Sequence, residues 1–484
     1  MGSVIASLTQ RKDFSRWLFI LIFLLAAFLR IWGIGNFDVS FDEDHYTHDA
    51  YRFLTHDPYM VPRHHTFQHA KPSTGHPFLV QFLMIGSYRL FGPTLTSGRL
   101  VSVLANLVAL VGAFYLAYLL YGKKTAFLTM LFLTILPHDV RYARDAHLDA
   151  VMGATAVWAT ICFWKVLTTR SWKWGMGLGV MTALVLATKI NGPFIFIFYL
   201  LGLVGYTRIG NTHLWLSQHW KQLVWAVGVC GVVFFLLIAP DAYLDGIIHP
   251  SDPSFQNPWR IVTGVVFYGF TMVQRIVLYL YTIPFAILVI TGLFLAMRRR
   301  QPQGLLLFSM WVAFSHVFFT HGGISGEYGY LMFNPYWAIL AAVAYLKLGS
   351  TVRMGFISSF ILMAVPLLIL HGLRLDIGSM GALTPFNDSN YRYGQMTMRQ
   401  AVWAINALPG KPVVLWVKDD RRPLPMLELS GNVSLGPFMD IKQVNTILVS
   451  EPSRMLELVQ GDFYIYQTLD NPKDIRIWIL RRRD

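Results

Sequence analysis

Apolar residues gather in long runs separated by short polar turns, and this pattern repeats along most of the chain. The runs fall at 17–35, 98–121, 125–139, 147–168, 174–189, 193–208, 222–240, 277–297, 304–321, 332–347 and 355–373. A run of about 20 apolar residues is long enough to cross a hydrocarbon core of about 30 Å. Backbone polar groups find no water in lipid, so such runs must satisfy their hydrogen bonds internally and form helices. The pattern predicts an all-α polytopic membrane protein with about eleven transmembrane helices.

The polar stretches between the runs carry the rest of the plan. The first, 36–97, contains a shorter apolar stretch, Pro77 to Phe91, interrupted by Gln81, Tyr88 and Arg89. Its length fits an interfacial helix lying on the membrane better than a span. Three further outward-facing regions are expected: a tight turn from His138 to His147, the acid- and proline-bearing stretch from Pro240 to about Gly264, and a glycine-rich turn from His321 to Leu331. After Leu373 the apolar runs stop. Stretches at Pro412–Val417, Thr446–Val449, Phe463–Gln467 and Ile475–Leu480 read as strands bounded by turn residues, and Tyr391–Leu408 and Pro452–Val459 as helices. The expected organisation is therefore a multi-span membrane domain, 1–373, followed by a small α/β domain, 374–484, large enough to hold a core of its own. Asn387-Asp388-Ser389 and Asn432-Val433-Ser434 match the glycosylation acceptor pattern, which is too short to carry weight alone.

Composition agrees with a lipid solvent. Hydrophobic residues make up 55% of the chain and charged residues 14%, where a soluble domain carries about 25% charged residues. The net charge of +14 is largely an orientation signal. Arg11, Lys12 and Arg16 precede the first run, and Lys123–Lys124, Arg170–Lys173, Arg208–Lys221, Arg298–Arg300 and Lys347–Arg353 fall in alternate turns. By the positive-inside bias these turns face the cytoplasm, as does the N-terminus. An odd number of spans then puts 374–484 outside, in a multi-pass plasma membrane protein. The first run is too long for a cleavable signal peptide and lacks a small-residue cleavage site. No basic face on a soluble domain speaks for nucleic acid. Both cysteines, Cys162 and Cys230, lie inside predicted spans and read as packing residues.

Charge that breaks this economy marks the candidate chemistry. Asp42 and Glu43 stand in Val-Ser-Phe-Asp-Glu-Asp-His-Tyr, a few residues past the first run. Carboxylates at the mouth of a membrane helix are costly to desolvate and usually mark a site. Asp42 is placed to act as a general base; the alternative is an ordinary solvated loop acid. Basic residues at the same predicted face are Arg99, Arg144 and Lys189, with Asp149 nearby in sequence. Arginine offers a fork suited to phosphate and lysine a point charge. Snorkelling would account for Lys189 or Arg30 and salt bridging for Arg99 with Glu43, but neither explains why acids and bases concentrate on one face. Seven of the fifteen histidines lie in the first loop, so a divalent metal is a possible cofactor, with Glu43 and His76 as candidate ligands.

Taken in order, these residues resemble a known family. Arg30 late in the first span, followed by Asp-Glu-x-x-Tyr (Asp42, Glu43, Tyr46), is similar to the opening of the GT-C membrane glycosyltransferases. The likeness is strongest to protein O-mannosyltransferases and lipid A aminoarabinose transferases. His76-Pro77-Phe78-Leu79 resembles the family's His- or Lys-Pro-Pro-Leu turn, with the second proline replaced. Arg99 in Gly-Arg-Leu, Asp149 opening the fourth span and Lys189 in Thr-Lys complete the set, which ends near Gly192. The resemblance implies an inverting glycosyltransferase that moves a sugar from a polyprenyl-phosphate donor to an acceptor hydroxyl on protein, lipid or glycan. It implies Asp42 as the base and Glu43 beside it paired with Arg99. It further implies Arg99, Arg144 and Lys189 as cations for the donor phosphate, with Asp149, Tyr46, His76 and Arg30 in support. The rival from another class is a multi-span transporter or flippase. Repeated halves with helices broken at the midplane would favour it, and no repeat is visible.

Overall fold

The computed structural model describes residues 12–36, 41–55, 79–189, 192–207, 211–237, 281–298, 301–320, 331–369, 373, 397–410, 412–417, 434–435, 446–450, 463–471 and 475–482. Among these, fifteen helices and five strands follow one another. The helices are α1 Lys12–Ile31, α2 Phe41–Thr55, α3 Leu79–Phe91, α4 Leu95–Tyr121, α5 Lys123–Ile135, α6 Pro137–Ala143, α7 Leu148–Thr168, α8 Trp172–Leu186, α9 Phe194–Thr207, α10 Thr212–Leu237, α11 Ile283–Arg298, α12 Pro302–Thr320, α13 Asn334–Lys347, α14 Ser350–Leu367 and α15 Thr397–Asn406. The strands are β1 Val413–Val417, β2 Ser434–Leu435, β3 Thr446–Ser450, β4 Phe463–Asn471 and β5 Ile475–Arg482.

Every apolar run read from the sequence coincides with one of these helices. Among the described residues four are long and apolar enough, by length and composition, to cross a membrane: α4, α7, α10 and α14. Their surroundings differ as a lipid solvent requires. The apolar window of α7 is 89% buried by other helices, while those of α10 and α14 are only 17% and 11% buried. Val227, Phe235, Leu236 and Leu362 lie exposed on those two helices. Such apolar surface is unsuited to water and suited to acyl chains. The chain is a multi-pass membrane protein.

The chain divides into two compact units. The first comprises Met1–Trp32, Gly75–Val80 and Val101–Leu373; the second comprises Gly33–Thr74, Gln81–Leu100 and Arg374–Asp484. In the first unit α7 is the central helix. It packs on α8, which packs on α10 in turn, while α9 lies along α12 and α11 along α13. The α8–α10 contact is close because Gly175 and Gly179 lie one helical turn apart and face the α10 backbone. A Cβ at Gly179 would stand 2.5 Å from Ala226 O. Small residues spaced by four allow this approach where lipid gives no hydrophobic drive between helices. Phe132 of α5 makes edge contacts with Phe285, Tyr345 and Phe360, joining α5, α11, α13 and α14.

In the second unit the sheet order is β2-β1-β3-β5-β4. β1 runs parallel to β2 and β3, whereas β5 runs antiparallel to β3 and β4. Helix α15 packs against β4 and β5 and buries Ala401, Val402 and Ile405. The expected strands are present, and the two-residue β2 is an addition. The expected stretches 240–264, 321–330 and 452–459, and both glycosylation patterns apart from Ser434, lie outside the described residues. Two segments differ from their reading. Residues 41–55, taken as open loop, form helix α2, and the tight turn expected over 138–147 begins as a short buried helix, α6.

Candidate active site

Helix α2 forms because one stripe of it is covered. Glu43, Tyr46, Thr47 and Ala50, spaced one helical turn apart, are all buried. Two of the four are polar, which hides the stripe from a hydropathy reading. Tyr88 Oη on α3 donates to Thr47 O at 3.3 Å and ties the two helices together. Helix α4 opens on a reciprocal cap: Thr94 N donates to Ser97 Oγ at 3.0 Å and Ser97 N to Thr94 Oγ1 at 3.1 Å. Arg99 follows immediately in the first turn.

Arg99 meets Glu43 at two points. Nε lies 2.7 Å from Oε1 and Nη2 lies 2.9 Å from Oε2, while Nη1 donates to Ile34 O at 2.8 Å. Both side chains are wholly buried. A bidentate guanidinium–carboxylate pair is among the strongest polar contacts available, and it fixes orientation as well as distance. It therefore sets the first turn of α2, where Asp42 stands next to Glu43. The Asp42 side chain is not among those described, and His76 lies outside the described residues. Arg99 was read as a ligand for donor phosphate, yet here its fork is filled by Glu43.

The first unit holds the other charged residues. Lys189 Nζ lies 3.0 Å from both carboxylate oxygens of Asp149, and the pair is almost fully buried. Asp149 sits in the first turn of α7, where a carboxylate complements the helix dipole. Lys189 follows the end of α8 in a turn closed by Gly192 N donating to Lys189 O at 2.8 Å. Glycine is required there: a Cβ at 192 would stand 2.8 Å from Val185 O. Between α6 and α7, Ser102 Oγ accepts from His147 N at 3.0 Å and donates to His147 O at 3.1 Å, anchoring the connection. Arg144, buried at the end of α6, donates through Nη2 to Trp32 O at 2.8 Å.

Arg30 is saturated. It donates to Asn106 Oδ1 at 2.5 Å, Ala26 O at 3.1 Å, Leu133 O at 3.0 Å and Asp139 Oδ2 at 2.6 Å. Its role is to join α1, α4, α5 and α6. The sequence reading missed Asn106 and Asp139 as its partners, and Asn334, which donates to Asp139; the available signal was an amide or carboxylate within or beside an apolar run. Among the described residues no group of three His, Cys, Asp or Glu side chains is placed to hold a metal.

Comparisons with known proteins bear on the family pattern and the fold. Residues 75–240 match the sequence model of the family described as dolichyl-phosphate-mannose-protein mannosyltransferase. No curated protein matches the sequence. Among solved structures, ArnT from Cupriavidus metallidurans bound to undecaprenyl phosphate superposes with a TM-score of 0.56 at 17% identity, covering 96% of this chain and 97% of that one. Its apo state gives 0.55 at 16% identity, covering 95% and 97%. The apo oligosaccharyltransferase of Archaeoglobus fulgidus gives 0.53 at 12% identity, covering 91% and 70%. At such identities these structures establish the fold. Across nearly its whole length the chain has the fold that ArnT shows. Over residues 75–240 it carries the sequence pattern of the mannosyltransferase family.

Proposed function

We propose that the protein transfers a sugar, with inversion, from a polyprenyl-phosphate donor to an acceptor hydroxyl at the outer face of the membrane, with Asp42 as general base. The observation that carries this is the two-point bond from Arg99 to Glu43, which holds the backbone next to Asp42 in one orientation. In the reaction the acceptor oxygen attacks the anomeric carbon as its bond to the phosphate oxygen breaks. The hydroxyl proton passes to Asp42, and the bonding electrons leave with the lipid phosphate. Negative charge grows on that phosphate, and preorganised cations stabilise it.

Lys189 and Arg144 are the cations assigned to it. Both are buried and already oriented, Lys189 by Asp149 and Arg144 by Trp32 O. Arg99 and Glu43 act as positioning residues in this scheme, as do Arg30 and Asp149. A relative with this fold binds undecaprenyl phosphate, which supports a lipid phosphate as leaving group here. The part of the chain after 373 is assigned to acceptor recognition.

The test is release of the leaving group. Full-length protein in lipid nanodiscs, given a polyprenyl-phosphate sugar and a hydroxyl acceptor, should liberate free polyprenyl phosphate in step with glycosylated acceptor. Movement of the lipid-linked sugar across the bilayer with no release would point to a flippase instead.

A further inference from the structure

A second polar cluster is buried in the first unit, and the chemistry above makes no direct use of it. Asn334, the first residue of α13, donates through Nδ2 to Asp139 Oδ1 at 2.7 Å, and the same nitrogen lies 3.1 Å from His138 Nδ1. Its amide oxygen accepts from the Tyr281 hydroxyl. The Tyr281 ring stacks on His138 at 4.7 Å. The Tyr281 hydroxyl also lies 3.2 Å from His138 Nδ1, so that ring nitrogen has both the Asn334 amide and the Tyr281 hydroxyl within hydrogen-bond distance. Asp139 Oδ2 completes the chain by accepting from Arg30. All five side chains are buried.

Such a network is costly to build in an apolar surrounding unless each member is satisfied, and its geometry shows what it fixes. Helix α6 has seven residues and no side-chain cap, so its position depends on these bonds from α1, α13 and Tyr281. Arg144 caps that helix, and Asp149 follows within the next turn of chain. A cavity bordered by Asn106, Asp139, Ala150, Gly153 and Pro335, with room for about one water molecule, separates the network from the first turns of α7. There α7 meets the approach to α13 without space for a side chain, since a Cβ at Gly153 would stand 3.1 Å from Met332 Cα.

We propose that Asn334 and Tyr281 are positioning residues for the donor phosphate. Through Asp139 and His138 they fix α6 and the start of α7, and so set where Arg144 and the Asp149–Lys189 pair present their charge. This rests on the reading that Arg144 and Lys189 receive a lipid phosphate.

The experiment measures binding of undecaprenyl phosphate, and of undecaprenol as the uncharged control, to full-length protein in nanodiscs, with thermal unfolding recorded in parallel. Asn334→Ala should raise the Kd for undecaprenyl phosphate about tenfold, the scale of one hydrogen bond to a charged group. Tyr281→Phe, which removes one hydroxyl and keeps the ring, should raise it by about threefold, within the range of one neutral hydrogen bond. Binding of undecaprenol should not change in either variant. If both variants bind undecaprenyl phosphate as the wild type does while Lys189→Ala binds it more weakly, the network is purely structural and the inference fails alone. A wild type that does not distinguish the phosphate from the alcohol overturns the donor reading and this inference with it.

Discussion

Arg99 grips Glu43 at two points, at 2.7 and 2.9 Å, and neither side chain reaches solvent. The pair is one residue from Asp42 and positions the backbone that carries it. Arg99→Lys keeps the charge but cannot reproduce the fork. It is expected to lower kcat while leaving donor Kd within twofold. A double-mutant cycle with Glu43→Gln should give a coupling energy of about 0.5–3 kcal/mol in thermal or denaturant unfolding. Additive effects of the two substitutions would mean that the contact does not act as a unit.

Lys189 is held by both oxygens of Asp149, and on the proposed function this orients its ammonium for the donor phosphate. Lys189→Ala should raise donor Kd by about 10–100-fold, the loss of a charge-assisted contact. The variant should also be less stable, because Asp149 is left buried without its cation. Unchanged lipid-phosphate affinity in a folded Lys189→Ala protein would restrict Lys189 to a structural role.

The turn that carries Lys189 leaves no room at Gly192, where a Cβ would stand 2.8 Å from Val185 O and 3.0 Å from Leu186 Cα. Gly192→Ala is expected to cost about 1–3 kcal/mol through forced backbone movement. Donor affinity should fall with it. A variant with wild-type melting temperature and affinity would show that the turn yields at no cost.

Tyr464 and Tyr466 stand half-exposed on the edge strand β4. Replacing both with Ala should raise acceptor KM several-fold, the scale of an aromatic contact worth about 0.5–1.5 kcal/mol beyond burial. Donor KM should stay as it was. A change confined to donor KM would reassign the C-terminal part to the donor.

The membrane helices were legible in the sequence because lipid imposes one requirement on every span, and the apolar runs display it directly. The Glu43–Arg99 pairing was also readable, since two charges flanking apolar runs have few other partners. Helix α2 was not, because its buried stripe of Glu43, Tyr46, Thr47 and Ala50 is half polar and its surroundings are rich in Asp and His. Helix α6 was hidden because its residues, Pro137 to Ala143, show no apolar periodicity and are held from outside by Arg30, Asn334 and Tyr281. Those partners stand more than a hundred residues away in sequence, a distance no local pattern spans.

The most direct measurement is the single-turnover transfer rate of Asp42→Asn in protein saturated with a polyprenyl-phosphate sugar. The substitution keeps the size of the side chain and removes the base. If Asp42 takes the proton, the rate should fall by about 10²–10⁴, with donor affinity and melting temperature close to wild type. Transfer at the wild-type rate would contradict the account and leave Asp42 as an ordinary polar residue of α2.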